Sequence, residues 1–380
     1  MIRQIHIIDF KAFSTLRNLR CEPLTLLTGV NSTGKSTVLQ ALLLLRQSAQ
    51  QGLLQQGKLA LNGDLAQLGT AKDVLNERSD GEKLELGLSL VDDTQAHWVF
   101  AYDQAADVLA VSGALPEPNV FDQPLFDDRF HYLCADRLGP RTHFEKSEYQ
   151  VREHRQIGAR GEYAAHYLAI FGDKPQPTAV HRAHRSAPSR KLRDLVETWL
   201  SVISPGVRLR LTPIDGSDVV QLSFAFAASH EVSSYYRPTN VGFGLTYTLP
   251  ILVALLGAAP GHLVLLENPE AHLHPRGQAQ LGRLLALCAA DGVQVIVETH
   301  SDHVLNGIRL AVHSQELIPE QLAVHYFERA ETRDGATLHV VTTPKIDRTG
   351  RFDRWPDGFF DEWERSLDAL LGEPVQTTQE

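Results

Sequence analysis

The residues best equipped for chemistry run Gly29-Val30-Asn31-Ser32-Thr33-Gly34-Lys35-Ser36, a glycine, four residues, then Gly-Lys-Ser. Such a loop between a buried strand and a helix lets backbone N–H groups curl around phosphate oxygens at the helix N-terminus. The setting is present, because Pro23 to Thr28 reads as the strand and Lys35 to Leu45 as an apolar run of helical length. Lys35 is then placed for the β- and γ-phosphates and the Ser36 hydroxyl for Mg²⁺, with Gly29, Asn31, Ser32, Thr33, Gly34 and Thr37 completing the nucleotide-binding set.

A second constellation lies far along the chain. Leu263-Val264-Leu265-Leu266-Glu267 is an apolar strand ending in a carboxylate, the expected holder of the Mg²⁺ water shell opposite Ser36. Asn268-Pro269-Glu270-Ala271-His272-Leu273-His274-Pro275 follows at once, and about thirty residues later a second buried strand ends at Glu298-Thr299-His300. Upstream, Asn240-Val241-Gly242-Phe243-Gly244-Leu245-Thr246 is a Gly-flanked helix start, offering N–H groups and a Thr hydroxyl to an anion. A glycine-rich turn that merely opens a buried helix is the plainer reading of the same residues.

These residues resemble the ABC-type ATPases related to the SMC, RecF and OLD proteins, over about 1 to 75 and 235 to 310. The resemblance implies an α/β fold, a P-loop NTPase head of ABC type with a mixed central sheet, an antiparallel β subdomain and an inserted helical region. It implies ATP and Mg²⁺ as cofactors, His300 as a γ-phosphate contact, and Asn240, Gly242, Gly244 and Thr246 as a degenerate signature that caps ATP held by the opposite subunit of a head-to-tail homodimer or higher homo-oligomer. A Gln lining the site is implied near Gln47 or Gln67. The chain departs from the family at Asn268, where a Glu normally activates the attacking water. An amide positions water but cannot take its proton at neutral pH, so either turnover is slow or Glu270 serves instead.

More loosely, Ala135 to Arg141, Gly158 to Glu162 and Trp355-Pro356-Asp357-Gly358-Phe359-Phe360-Asp361 are similar to a bacterial branch whose ATPases often sit beside effector genes in phage-defence loci. That likeness implies an antiviral switch or motor subunit with a separate effector protein, since no nuclease constellation follows His300. DNA maintenance of the RecF kind and a non-hydrolysing ATP-held scaffold stay open beside it, as does nucleic acid as a partner.

The elements that must position these residues divide the 380-residue chain into 1–143, an N-terminal half-head with an antiparallel part; 144–204, a mostly helical insertion; 205–313, the C-terminal half-head; and 314–380, a C-terminal α/β extension. Residues 83–91 and 97–101 alternate as half-buried strands, and a strand, helix, strand, helix order beyond 262 marks a parallel α/β core. A formal charge of −10 argues against a surface that is basic all over. The segment 176–193, with Arg182, Arg185, Arg190, Lys191 and Arg193, is the best candidate for a phosphate-facing patch, against a solvated face as the plainer reading. Arg137 and Arg141 read as ion-pair residues that stabilise the insertion, and Trp355 to Phe360 as a packed C-terminal turn. Three cysteines, the absence of a signal-like start and the lack of an uninterrupted apolar run point to a cytoplasmic protein with no membrane span.

Overall fold

The computed structural model describes residues 1–227, 232–331, 337–356, 358–360, 366–367 and 370–371. A hairpin, β1 (Ile2–Phe10) and β2 (Phe13–Arg20), leads into β3 (Leu24–Gly29) and α1 (Lys35–Gln50). After β4 (Lys58–Ala60) and α2 (Ala71–Val74) come β5 (Lys83–Leu90), β6 (Gln95–Ala101) and β7 (Val108–Ala110). Strands β5 and β6 join the opening hairpin in an antiparallel sheet ordered β2-β1-β5-β6. The two-residue alternation in their sequence gives that sheet one buried face.

The middle of the chain supplies β8 (Phe130–Leu133), β9 (Phe144–Glu145), α3 (Ala164–Phe171), α4 (Leu192–Ile203), β10 (Val207–Pro213) and β11 (Val219–Phe226). Helix and strand then alternate through α5 (Phe243–Gly257), β12 (Leu263–Glu267), α6 (Pro275–Ala290), β13 (Gln294–Glu298), α7 (Asp302–His313), β14 (Leu322–Glu331) and β15 (Thr337–Thr342). Within the span 144–204, β9 pairs with β11. Leu168, Leu195 and Trp199 of α3 and α4 share one apolar cluster with α5 and α6. This segment therefore packs as part of the head.

The central sheet runs β15-β14-β3-β13-β12-β8, parallel from β14 to β8 with β15 antiparallel at its edge. Alternation along each strand decides which face a side chain serves. Leu24, Leu26, Val264, Leu266, Val295 and Val297 enter the cluster formed with α3 to α7, whereas Leu27, Leu263, Leu265 and Ile296 meet α1 and the antiparallel sheet. Each such buried side chain contributes about 1.5–3 kcal/mol, so the strand ends project from a stiff three-layer platform. The carboxyl ends of β3, β13 and β12 lie side by side, the edge at which open α/β sheets hold their ligands.

Candidate nucleotide site

The loop after β3 turns sharply into α1. Ser32 has φ 60° and Gly34 φ 104°, and a Cβ on Gly34 would lie 2.7 Å from the Phe13 ring, so only glycine fits there. Thr33 Oγ1 donates to the Val30 carbonyl at 2.7 Å, and the Lys35 ammonium donates to the carbonyls of Gly29 and Val30 at 3.1 and 2.6 Å. Burial lowers the pKa of Lys35, and the charge of Glu298 pulls it back up. Asn31 to Thr37 line a cavity of about 1020 Å³, together with Lys11, Phe13, Gln40, Arg78, Glu298, His300, Arg329 and His339.

Two acids end the neighbouring strands, and Glu267 and Glu298 are paired in register. Because β13 lies between β3 and β12, it is Glu298 that reaches the loop, where its Oε1 accepts from Ser36 Oγ at 2.9 Å. The Glu267 carboxylate turns the other way, accepting from the Tyr132 hydroxyl at 2.9 Å and the Ala135 N–H at 3.1 Å. Glu270 is buried and accepts from the His300 N–H at 2.9 Å. Burial pushes Glu298 up to about 7; the Ser36 hydrogen bond and Lys35 oppose this, and the charges of Glu267 and Glu270 add to it. Burial and the positive charge of Lys35 lower the pKa of His300, against a hydrogen bond with the Gly29 backbone.

Asn268 sits at φ 42°, a left-handed conformation Asn tolerates, and its N–H donates to the Glu298 carbonyl at 2.8 Å. Arg137 fixes this turn from behind. Its guanidinium, buried over the Tyr247 ring, donates to the carbonyls of Glu267, Asn268 and Cys134 at 2.6, 2.7 and 2.8 Å. Arg137 thus holds the acidic turn, where the sequence suggested support of the insertion; Arg141 is exposed.

The helix α5 opens away from this cavity, none of whose lining residues belongs to it. Asn240 and Gly242 are exposed, while the Thr246 hydroxyl is buried inside the packed helix and lacks a hydrogen-bond partner among the described residues. A Cβ on Gly244 would come within 2.5 Å of the His272 carbonyl, so the helix start rests directly on the acidic turn. His272 packs against Phe243 and Tyr247, and His274 caps α6, which gives both histidines structural work.

Several functional neighbours escape a reading of the sequence. Gln40 lines the cavity and accepts from the Lys11 ammonium at 2.8 Å. Of the two glutamines suggested by resemblance, Gln47 is buried tying Ala60 to Ala66 and Gln67 is exposed. Arg329 on β14 donates to the Ser32 carbonyl at 2.7 Å and His339 on β15 bonds the Thr33 carbonyl at 3.0 Å, so the C-terminal hairpin grips the phosphate loop itself. In the basic segment 176–193, Arg182 is fully buried and donates to Ala258, its N–H meets Asp291 at 3.2 Å, and Trp199 Nε1 donates to its carbonyl at 2.8 Å. Arg182 anchors α4, while His181, Arg185, Arg190 and Lys191 are exposed. Phe359 is buried among Tyr326, Phe352 and Trp355, a packed turn as expected, while Asp357 and Asp361 lie outside the described residues.

The donors at Ser36 are hard oxygens of the kind Mg²⁺ takes. One carboxylate oxygen each of Glu298 and Glu270 is buried without a hydrogen-bond partner among the described residues, so the site fits a hard cation beside bound phosphates. Fold and site together make an α/β domain with a phosphate loop of the P-loop NTPase kind at the carboxyl edge of its central sheet. Residues 169–306 match the family described as "AAA domain, putative AbiEii toxin, Type IV TA system", and residues 317–370 match a family described as a protein of unknown function, DUF3696.

No curated protein matches the chain. Among solved structures, the chain is similar at 12% identity to an SMC head domain from Thermotoga maritima, covering 90% of this chain and 98% of that one with a TM-score of 0.43. It is similar, again at 12% identity, to an Smc head with an extended coiled coil bound to the C-terminal domain of ScpA derived from Pyrococcus furiosus, covering 98% and 99% with a TM-score of 0.47.

Proposed function

We propose that this chain binds Mg-ATP and hydrolyses it slowly, as a head-to-tail dimer that switches a separate effector protein in a bacterial anti-phage defence system. The observation that carries the reading is the meeting of Lys35, Ser36 and Glu298 at one cavity lined by the phosphate loop. Bound ATP would lay its phosphates on the N–H groups of the loop and the Lys35 ammonium, with Mg²⁺ held at Ser36 and the adjoining acids. The metal supplies charge neutralisation at the β- and γ-phosphates. His300, with a lowered pKa, is neutral at pH 7 and placed at the same cavity to meet the γ-phosphate.

Slow hydrolysis follows from Asn268, which cannot take a proton, and leaves Glu270 as the nearby acid for that role. A dimer is supported by the exposed start of α5, which no part of its own phosphate cavity uses and which a second copy could bring over ATP. The defence setting draws on the toxin and type IV toxin–antitoxin wording of the matched AAA family. Closure would be transmitted through Arg329 and His339, which bind the phosphate loop from the C-terminal hairpin. The alternative of a non-hydrolysing ATP-held scaffold is favoured by Asn268 alone.

Steady-state ATP turnover by the purified chain tests the proposal, with and without duplex DNA and beside Lys35→Ala. Slow turnover that Lys35→Ala abolishes is expected. Tight ATP binding with turnover no higher than in Lys35→Ala would leave only the scaffold, and stimulation by DNA would shift the role towards DNA maintenance.

A further inference from the structure

Two side chains of the C-terminal hairpin meet the phosphate loop at successive carbonyls. We propose that Arg329 and His339 are positioning residues for phosphate binding: they hold the carbonyls of Ser32 and Thr33 on the hairpin side and so aim the N–H groups of Thr33 and Gly34 at the bound phosphates. The proposal rests on the reading that the cavity takes Mg-ATP. It gives a task to the matched stretch 317–370, in which both residues lie.

Strand register sets up the contact. Parallel pairing of β14 with β3 ends at Phe327 opposite Gly29, and a Cβ on Gly29 would lie 2.1 Å from the Phe327 carbonyl oxygen, so the two backbones touch where the loop begins. Just beyond, Arg329 stands directly opposite His339 of β15. Residues paired in this way project from one face of a hairpin with Cβ atoms about 5 Å apart, which suits two consecutive carbonyls. Arg329 Nη2 donates to the Ser32 carbonyl at 2.7 Å. His339 Nδ1 meets the Thr33 carbonyl at 3.0 Å, and since a carbonyl only accepts, that nitrogen carries the ring proton. The His339 ring also packs edge-on against Phe13, the ring that closes on Gly34.

Peptide geometry carries the effect to the cavity. The peptides are trans and planar, so a carbonyl held on one side commits the N–H of the next residue to the other. The Ser32 carbonyl shares its peptide with the Thr33 N–H, and the Thr33 carbonyl with the Gly34 N–H. Neither N–H has a backbone hydrogen-bond partner among the described residues, which leaves both for an anion. The earlier carbonyls, of Gly29 and Val30, are held from within the loop by Lys35, so the hairpin supplies the donors that the loop lacks for the later two. Without those donors either peptide can rotate and turn its carbonyl oxygen, rather than its N–H, towards phosphate.

Isothermal titration calorimetry with a non-hydrolysable ATP analogue in Mg²⁺, on the full chain, tests the proposal. His339→Leu keeps side-chain bulk against Phe13 but loses the donor, whereas His339→Asn keeps an N–H donor near the place of Nδ1 but gives up the packing. His339→Leu should bind the analogue about tenfold or more weakly, and His339→Asn should recover most of that loss. Arg329→Met, at an exposed position, should also weaken binding about tenfold, with a smaller loss in Arg329→Gln, which retains a donor. Equal impairment of His339→Asn and His339→Leu would make His339 a packing residue and overturn the proposal, as would wild-type affinity in both His339→Leu and Arg329→Met. If circular dichroism shows His339→Leu unfolded, the Arg329 pair decides: a loss in Arg329→Met that Arg329→Gln reduces supports the role, and undiminished affinity in Arg329→Met overturns it. No analogue binding by wild type would instead bring down the Mg-ATP reading, and this proposal with it.

Discussion

Asn268 and Glu270 divide the question of hydrolysis between them. Glu270 is buried with one oxygen on the His300 N–H and the other without a partner among the described residues, whereas Asn268 can only orient a water. If Glu270 acts as the base, Glu270→Gln should lower turnover about 100-fold or more with ATP affinity nearly unchanged, as removal of a general base does. Turnover unaltered in single-cycle kinetics would exclude it. The phosphate loop itself was legible in the sequence, since Gly29 to Ser36 carries its whole chemistry in eight consecutive residues. The acid facing Ser36 was not, because Glu298 lies 262 positions away and the choice between it and Glu267 depends on which strand stands next to β3.

At the scale of elements, the strands β12 and β13 were readable as short apolar runs each ending in Glu, and both prove buried along almost their full length. What the sequence could not show is how the turn after β12 is held. Arg137 supplies donors to three carbonyls there, and a long apolar side chain would leave them unpaired in a buried setting. Arg137→Met should therefore destabilise the fold by about 2–4 kcal/mol in denaturant unfolding. A change within about 0.5 kcal/mol would mean the turn holds itself. The C-terminal hairpin was equally hidden: Arg329 and His339 reach the phosphate loop from strands 297 and 306 positions later, a contact that parallel pairing of β14 with β3 creates.

For the whole molecule, buried neutral histidines set an acid limit. Burial lowers His131 to about 3 and His325 to about 4 from an ordinary 6.5. The unfolded chain therefore binds protons that the folded chain refuses, and stability present above pH 6.5 is lost as pH falls from 6.5 to about 4. Thermal unfolding across that window should show a falling Tm, with a shallower fall in His131→Leu; an equal slope in the variant would contradict the assignment. Among the described residues, no helix is long and apolar enough to cross a membrane. The net charge of −10 suits association through specific faces better than general adhesion to nucleic acid.

The proposed function requires a dimer that ATP closes, with the exposed start of α5 completing the partner's site. Sedimentation velocity in Mg²⁺ with a non-hydrolysable ATP analogue, on wild type and Lys35→Ala, tests it most directly. Wild type is expected to shift from monomer to dimer only with the analogue, and Lys35→Ala to remain monomeric. An association state indifferent to nucleotide, in wild type as in Lys35→Ala, would contradict it.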